Sequence, residues 1–113
     1  MPRNPVAAPR RAIQRALCAA VLVASLPAAQ ASPALAQKYG CTGCHAAAAK
    51  LVGPAFRDVA EKYKGQPDAQ TQVVNSIRNG GSGRWGEVPM PPQADVKPAD
   101  AQKLAAWILH GAK

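Results

Sequence analysis

Apolar residues recur at the spacing of one helix face in three places along the second half of the chain. Phe56, Val59, Ala60 and Tyr63 follow an i, i+3, i+4, i+7 pattern, and Gly65 marks where that helix ends. Val73, Val74 and Ile77 predict a further helix, with Asp68 placed to cap its start and Asn79-Gly80-Gly81 to close it. Ala101, Leu104, Trp107 and Ile108 form the stripe of a last helix, whose first position suits Pro98 and whose first turn gains from the charge of Asp100. Upstream, Ser32-Pro33 joins a hydroxyl cap to a first-turn proline, and Gly40 stops the helix that follows. No run alternates with the two-residue period of a strand and no segment repeats, so the chain reads as a single all-α domain.

Two stretches lie outside this pattern. In the first, Arg3, Arg10, Arg11 and Arg15 precede an apolar run from Ala16 to Leu26; Pro27 interrupts it, and Ala29-Gln30-Ala31 offers a small-x-small cleavage pattern. This is the layout of a secretory signal peptide over residues 1–31, its apolar part too short to span a bilayer. A retained N-terminal anchor is the alternative. Arg10-Arg11 matches a twin-arginine signal only loosely, and Cys18 stands near the start of the apolar run rather than at its end, where a lipoprotein acceptor would be. It reads as a small apolar residue.

Cleavage before Ser32 leaves residues 32–113 as a periplasmic domain of 82 residues, small for a core made only of side chains. The leader holds four of the fourteen basic residues and none of the six acidic ones, so the net charge falls from +8 to +4. The remaining cations, Lys38, Lys50, Lys62, Lys64, Arg78, Arg84, Lys97 and Lys103 among them, are dispersed. They lack the basic stripe with interleaved aromatics that nucleic-acid binding needs.

The second irregular stretch, residues 80–97, is a Gly- and Pro-rich connection longer than a compact domain tolerates without a functional reason. Its reason is suggested by Cys41-Thr42-Gly43-Cys44-His45, the Cys-x-x-Cys-His pattern of covalent c-type haem attachment. Two thiols three positions apart reach the two vinyl groups on one edge of a porphyrin, and the adjoining imidazole binds the iron. Cys41 and Cys44 are the expected tethers, and His45 the expected iron ligand. In an oxidising periplasm bare paired thiols would close to a disulfide, and haem attachment is the main other fate. Once the leader is removed Met90 is the only methionine left, and it stands in Val88-Pro89-Met90-Pro91-Pro92. A methionine usually fills a core gap, but three flanking prolines make a stiff extended loop unsuited to core packing. Met90 is therefore the expected second iron ligand, a soft thioether that raises the reduction potential. His110, near the C-terminus, competes poorly for that position.

In this order the residues resemble class I cytochromes c, in particular the small bacterial cytochrome c-551 type. The likeness covers residues 32–113. It includes the attachment motif, Val52-Gly53-Pro54-Ala55 after it, Arg84-Trp85-Gly86 ahead of the methionine loop, Met90-Pro91-Pro92, and a terminal helix with Trp107. The resemblance implies four to five helices wrapped around one covalent haem. It implies that the carbonyl of Pro54 accepts a hydrogen bond from the second nitrogen of His45, tuning its basicity, although Pro54 also reads as a helix-start proline. Trp85 is similar to an indole that donates to a haem propionate, against the plainer reading of ordinary packing. Two positions depart from the family: Gln93 stands where many relatives place an asparagine near the methionine sulfur, and Ser76 where some carry a basic residue.

A haem with two protein ligands leaves no open position for a substrate, so the expected function is electron transport and not catalysis. The resemblance implies a monomeric carrier with no stable membrane insertion after signal cleavage. It would shuttle between a membrane quinol-oxidising complex and a nitrite reductase, cytochrome oxidase or peroxidase, through a small transient interface. Lys38 and Lys50, beside the motif, are the expected docking rim. The alternatives are a haem subunit permanently docked on a dehydrogenase and a five-coordinate haem enzyme or gas sensor with Met90 free. A Cys-x-x-Cys thiol oxidoreductase would need a βαβ context, and Cys41, Cys44, His45 and distant His110 lack the spacing of a closed zinc site.

Overall fold

A computed structural model describes residues 1–3 and 28–113, so most of the expected leader, Cys18 included, lies outside the described residues. Four α-helices follow one another: α1 (Ala28–Lys38), α2 (Phe56–Tyr63), α3 (Ala69–Asn79) and α4 (Pro98–Leu109). A single 3-10 turn, Cys41–Gly43, follows α1. Among the described residues the only β-type pairing is an isolated antiparallel bridge between Gly81 and Met90. The all-α expectation holds, with four helices and one short turn.

The apolar stripes read from the sequence are the faces that meet. Phe56, Val59 and Tyr63 of α2, Val73 and Ile77 of α3, and Ala101, Leu104 and Ile108 of α4 are buried together, joined by Ala105 and, from the connection, Val96. Helix α4 packs on α1, α2 and α3 in turn and is the central element of the frame. Leu104 is only 1% exposed, and burial of one such side chain stabilises the fold by about 1.5–3 kcal/mol. Ala36, Ala101 and Ala105 are fully enclosed, and small side chains of this kind allow helices to approach closely. The Tyr39 hydroxyl, just past α1, donates to Asp100 Oδ2 in the first turn of α4 at 2.6 Å, joining the two ends of the domain.

The start of α1 departs from the sequence reading, and one expected cap bond, at α3, is not made. Helix α1 begins at Ala28, so Ser32 and Pro33 fall inside it rather than at its start. Pro33 cannot donate to the carbonyl of Ala29, but the segment Ala28-Ala29-Gln30-Ala31 ahead of it consists of strong helix formers. Asp68 occupies the N-cap position of α3 but makes no side-chain cap bond. Its backbone carbonyl accepts from the amide of Gln72 at 3.0 Å, while its side chain is exposed to water. Gly40 and Gly80, with φ of 71° and 68°, end α1 and α3 as expected of residues free to take positive φ. No helix among the described residues is long and apolar enough to cross a membrane.

Candidate functional site

The 3-10 turn after Gly40 folds the attachment motif back on itself. The amides of Cys44 and His45 both donate to the carbonyl of Cys41, at 3.2 and 3.0 Å, which brings the two thiols and the imidazole onto one short arch. The segment beyond is tied down by Gly53 N–H donating to the Cys44 carbonyl at 2.8 Å. Helix α2 has no side-chain cap at Ala55. Its first amides, Phe56 and Arg57, donate instead to the carbonyls of Ala46 and Ala47, at 2.9 and 3.1 Å. These satisfy donors that a helix start leaves unpaired, and they fix the arch against α2.

His45 is oriented by one clear bond. Its Nδ1 lies 2.8 Å from the carbonyl oxygen of Pro54, and because a carbonyl can only accept, Nδ1 carries a proton, which in the neutral ring leaves the lone pair on Nε2. Pro54 lies ahead of α2, whose first residue is Phe56, so it is not a helix-start proline and contributes its carbonyl. The imidazole stacks on Phe56 with ring centroids 5.2 Å apart and planes 19° from parallel, and Phe56 meets Trp107 edge to face at 5.4 Å. A continuous aromatic contact thus runs from the motif into α4. Gly53 makes room for the ring: a Cβ there would meet His45 Nδ1 at 2.8 Å and Nε2 at 3.0 Å, and Cε1 closer still.

Met90 is held by backbone. Its amide donates to the Gly81 carbonyl at 2.8 Å and its carbonyl accepts from Gly81 N–H at 3.0 Å. Gly80 passes so close that a Cβ would meet Pro92 N at 2.8 Å and collide with the Met90 carbonyl. Beyond the methionine, the Gln93 amide nitrogen donates to the Ile77 carbonyl at 3.0 Å, tying the loop to α3. The Gln93 side chain turns to the Pro91 carbonyl at 2.9 Å. Ser76 Oγ donates back along α3 to the Gln72 carbonyl at 3.0 Å, as mid-helix serines do.

These parts meet in one cleft of about 300 Å³, lined by Cys41, Cys44, His45, Met90, Pro54 and Trp85 together with apolar side chains of α2, α3 and α4. All six residues singled out from the sequence are brought together there. Trp85 lies at its rim, 38% exposed, with the Lys62 ammonium 4.2 Å from its ring centroid. Burial pushes the Cys41 thiol up from its ordinary range, an effect partly offset by a backbone hydrogen bond and added to by Cys44 nearby. The donor set suits a covalently held haem: two thiols for tethering, an imidazole fixed in the tautomer that leaves Nε2 free, a thioether, and an apolar wall. His110 is elsewhere, lining a separate hollow with Arg57, Glu61 and Lys64; its Nδ1 is 2.6 Å from the carbonyl of Ala106. Lys38 and Lys50 are exposed and do not line the cleft.

The sequence reading missed two contacts at the cleft, the His45–Phe56 stack and a cluster of Lys62, Tyr63 and Arg84, and one away from it, the Tyr39–Asp100 bond. Only Phe56 left a usable signal, as an aromatic residue closely following a motif histidine.

The chain is similar to known proteins along most of its length. A family model described as cytochrome c matches residues 29–112. Cytochrome c-551 of Allochromatium vinosum is 53% identical over 83 residues, 74% of this chain and 88% of that protein. Cytochrome c-552 of Nitrosomonas europaea is 49% identical over 90 residues, 80% of this chain and 85% of that protein. The crystal structure of wild-type Nitrosomonas europaea cytochrome c552 superposes with a TM-score of 0.68 at 47% identity, covering 69% of this chain and 96% of that one.

Proposed function

The chain belongs to the cytochrome c family, and from that premise we propose that it is a periplasmic carrier whose haem iron is held between His45 and Met90. It is a small electron-transfer protein of the class I c-551 type, not an enzyme, and it carries a covalent c-type haem. The haem supplies a one-electron iron couple.

The residues divide the remaining work. Cys41 and Cys44 anchor the group through thioether bonds. His45, with its Nδ1 proton committed to Pro54, offers Nε2 as a neutral and relatively basic ligand, since a donated hydrogen bond raises imidazole basicity. Met90 offers a soft neutral sulfur that favours the reduced metal and raises the potential. The apolar side chains of α2, α3 and α4 keep water from the cleft, so that little has to reorganise when an electron moves. Trp85 is assigned to a haem propionate through its indole N–H. Residues 1–31 are assigned as the export signal, on the strength of the basic start, apolar run and cleavage pattern. The donor is assigned as a membrane quinol-oxidising complex and the acceptor as a nitrite reductase, cytochrome oxidase or peroxidase, with Lys38 and Lys50 on the docking rim.

The observation that most supports this reading is the single cleft lined by both thiols, the oriented imidazole and Met90. Met90→Ala tests it. The variant is expected to keep its haem by mass spectrometry, bind added small ligands at the iron, and show a lower midpoint potential. An unchanged potential with no new ligand binding would make a residue other than Met90 the second iron ligand.

A further inference from the structure

Among the described residues Arg84 is the only arginine or lysine on the lining of the cleft, and no aspartate or glutamate lines it. The ion pairs of the described residues join Arg57 to Asp58 and Lys64 to Glu61, so neither Arg84 nor Lys62 is neutralised by an acidic side chain there. Arg84 is nevertheless fixed in place. Its Nη1 donates to the Tyr63 hydroxyl at 2.7 Å, and the Tyr63 ring is buried, 4% exposed, in the face of α2 that packs on α4. The backbone is held as well, because Lys62 Nζ donates to the Arg84 carbonyl at 2.6 Å while lying over the Trp85 ring. Consecutive residues of α2 therefore grip both the main chain and the side chain of Arg84.

We propose that Arg84 is a potential-setting residue: a cation pinned at the cleft by Tyr63 that makes the oxidised, more positive state of the bound iron less favourable and so raises its reduction potential. This rests on the assignment of the cleft as the haem seat. A fixed charge acts on an iron centre through Coulomb's law, and it acts more strongly where the intervening medium is protein rather than water. A cation on a flexible surface side chain would be screened by solvent and salt. Arg84 is itself exposed, so part of that screening remains, but its bond to the Tyr63 hydroxyl fixes where the charge stands, which makes Tyr63 a positioning residue for the charge.

The test is equilibrium redox titration of the haem-loaded protein, comparing Arg84→Gln, Arg84→Lys and Tyr63→Phe with the wild type. Removing the charge in Arg84→Gln is expected to raise the ratio of oxidised to reduced protein about threefold at a fixed applied potential near the midpoint. That corresponds to a downward shift of roughly 30 mV at 59 mV per tenfold change. Arg84→Lys should recover most of the shift, because it keeps the charge. Tyr63→Phe should lower the potential by a smaller amount and make it more sensitive to salt, since the released guanidinium moves toward solvent. A merely structural role for Arg84 would move the unfolding midpoint in all three variants without this ordering of potentials. Equal potentials in Arg84→Gln and wild type would overturn the proposal, as would an equal drop in Arg84→Gln and Arg84→Lys. With the haem spectrum intact, either result would leave the cleft assignment standing, whereas a wild-type protein with no bound haem would overturn both.

Discussion

The helical frame and the 80–97 connection solve opposite problems. In the frame each helix satisfies most of its own backbone, leaving side chains such as Leu104, Val73 and Ile108 to pack by shape. In the connection backbone bonds close the loop on itself, from Met90 to Gly81, and tie it to α3, from Gln93 to Ile77, and what they hold is one side chain at the cleft. Stability is concentrated in the first region and placement in the second. A substitution in the frame should therefore change how hard the protein is to unfold, and one in the connection should change what the iron experiences.

The largest expected effect on stability belongs to Leu104. Leu104→Ala removes a side chain that is almost wholly enclosed and should cost about 2–5 kcal/mol, measured by denaturant unfolding of the haem-loaded protein. Ligation by Met90 should survive in the folded fraction. Gly80→Ala comes next and acts the other way round. Its φ of 68° and ψ of −168° lie in a region that side chains avoid, and the new Cβ would collide with the Met90 carbonyl. Strain of this kind costs about 1–3 kcal/mol, but the spectral signature of methionine ligation should weaken by more than that loss of stability suggests. If Gly80→Ala left ligation untouched while Leu104→Ala abolished it, the division between frame and connection would be wrong.

Two smaller changes sharpen the contrast. Tyr39→Phe removes the hydrogen bond that joins α1 to α4 and should lower stability by about 1–2 kcal/mol, with no shift in midpoint potential. Lys50→Glu alters an exposed residue, so its effect on stability should stay within about 0.5 kcal/mol. Stopped-flow electron transfer to an acidic partner should nevertheless slow severalfold at low salt, with the difference fading as salt rises, as expected of a rim charge.

The same contrast governs what could be read from the sequence. The stripes Phe56–Val59–Tyr63 and Ala101–Leu104–Ile108 were legible because helical periodicity is a local signal that burial reinforces. Cys41, Cys44, His45 and Met90 were legible because each sits in a short motif, whereas Pro54 and Trp85 came only from the resemblance to the family. Asp68 was misjudged as a capping side chain because position identifies an N-cap but does not settle whether its carboxylate turns inward. The start of α1 was placed at Ser32 because a hydroxyl followed by proline is a strong local signal, yet the alanine-rich residues ahead of it extend the helix. The grip of Lys62 and Tyr63 on Arg84, and the bond from Tyr39 to Asp100, lie between residues 21 or more positions apart. No periodicity marks them, because they depend on how finished elements pack.

The central claim is that the connection exists to hand the sulfur of Met90 to the iron. Proton NMR of the reduced, haem-loaded protein tests it directly, because a methyl group fixed above a porphyrin ring is displaced strongly upfield by the ring current. Such an upfield methyl resonance is expected in the wild-type protein, with its loss in Met90→Ala while the haem remains attached. A Met90 methyl at the ordinary position of a free methionine in the folded wild-type protein would contradict it.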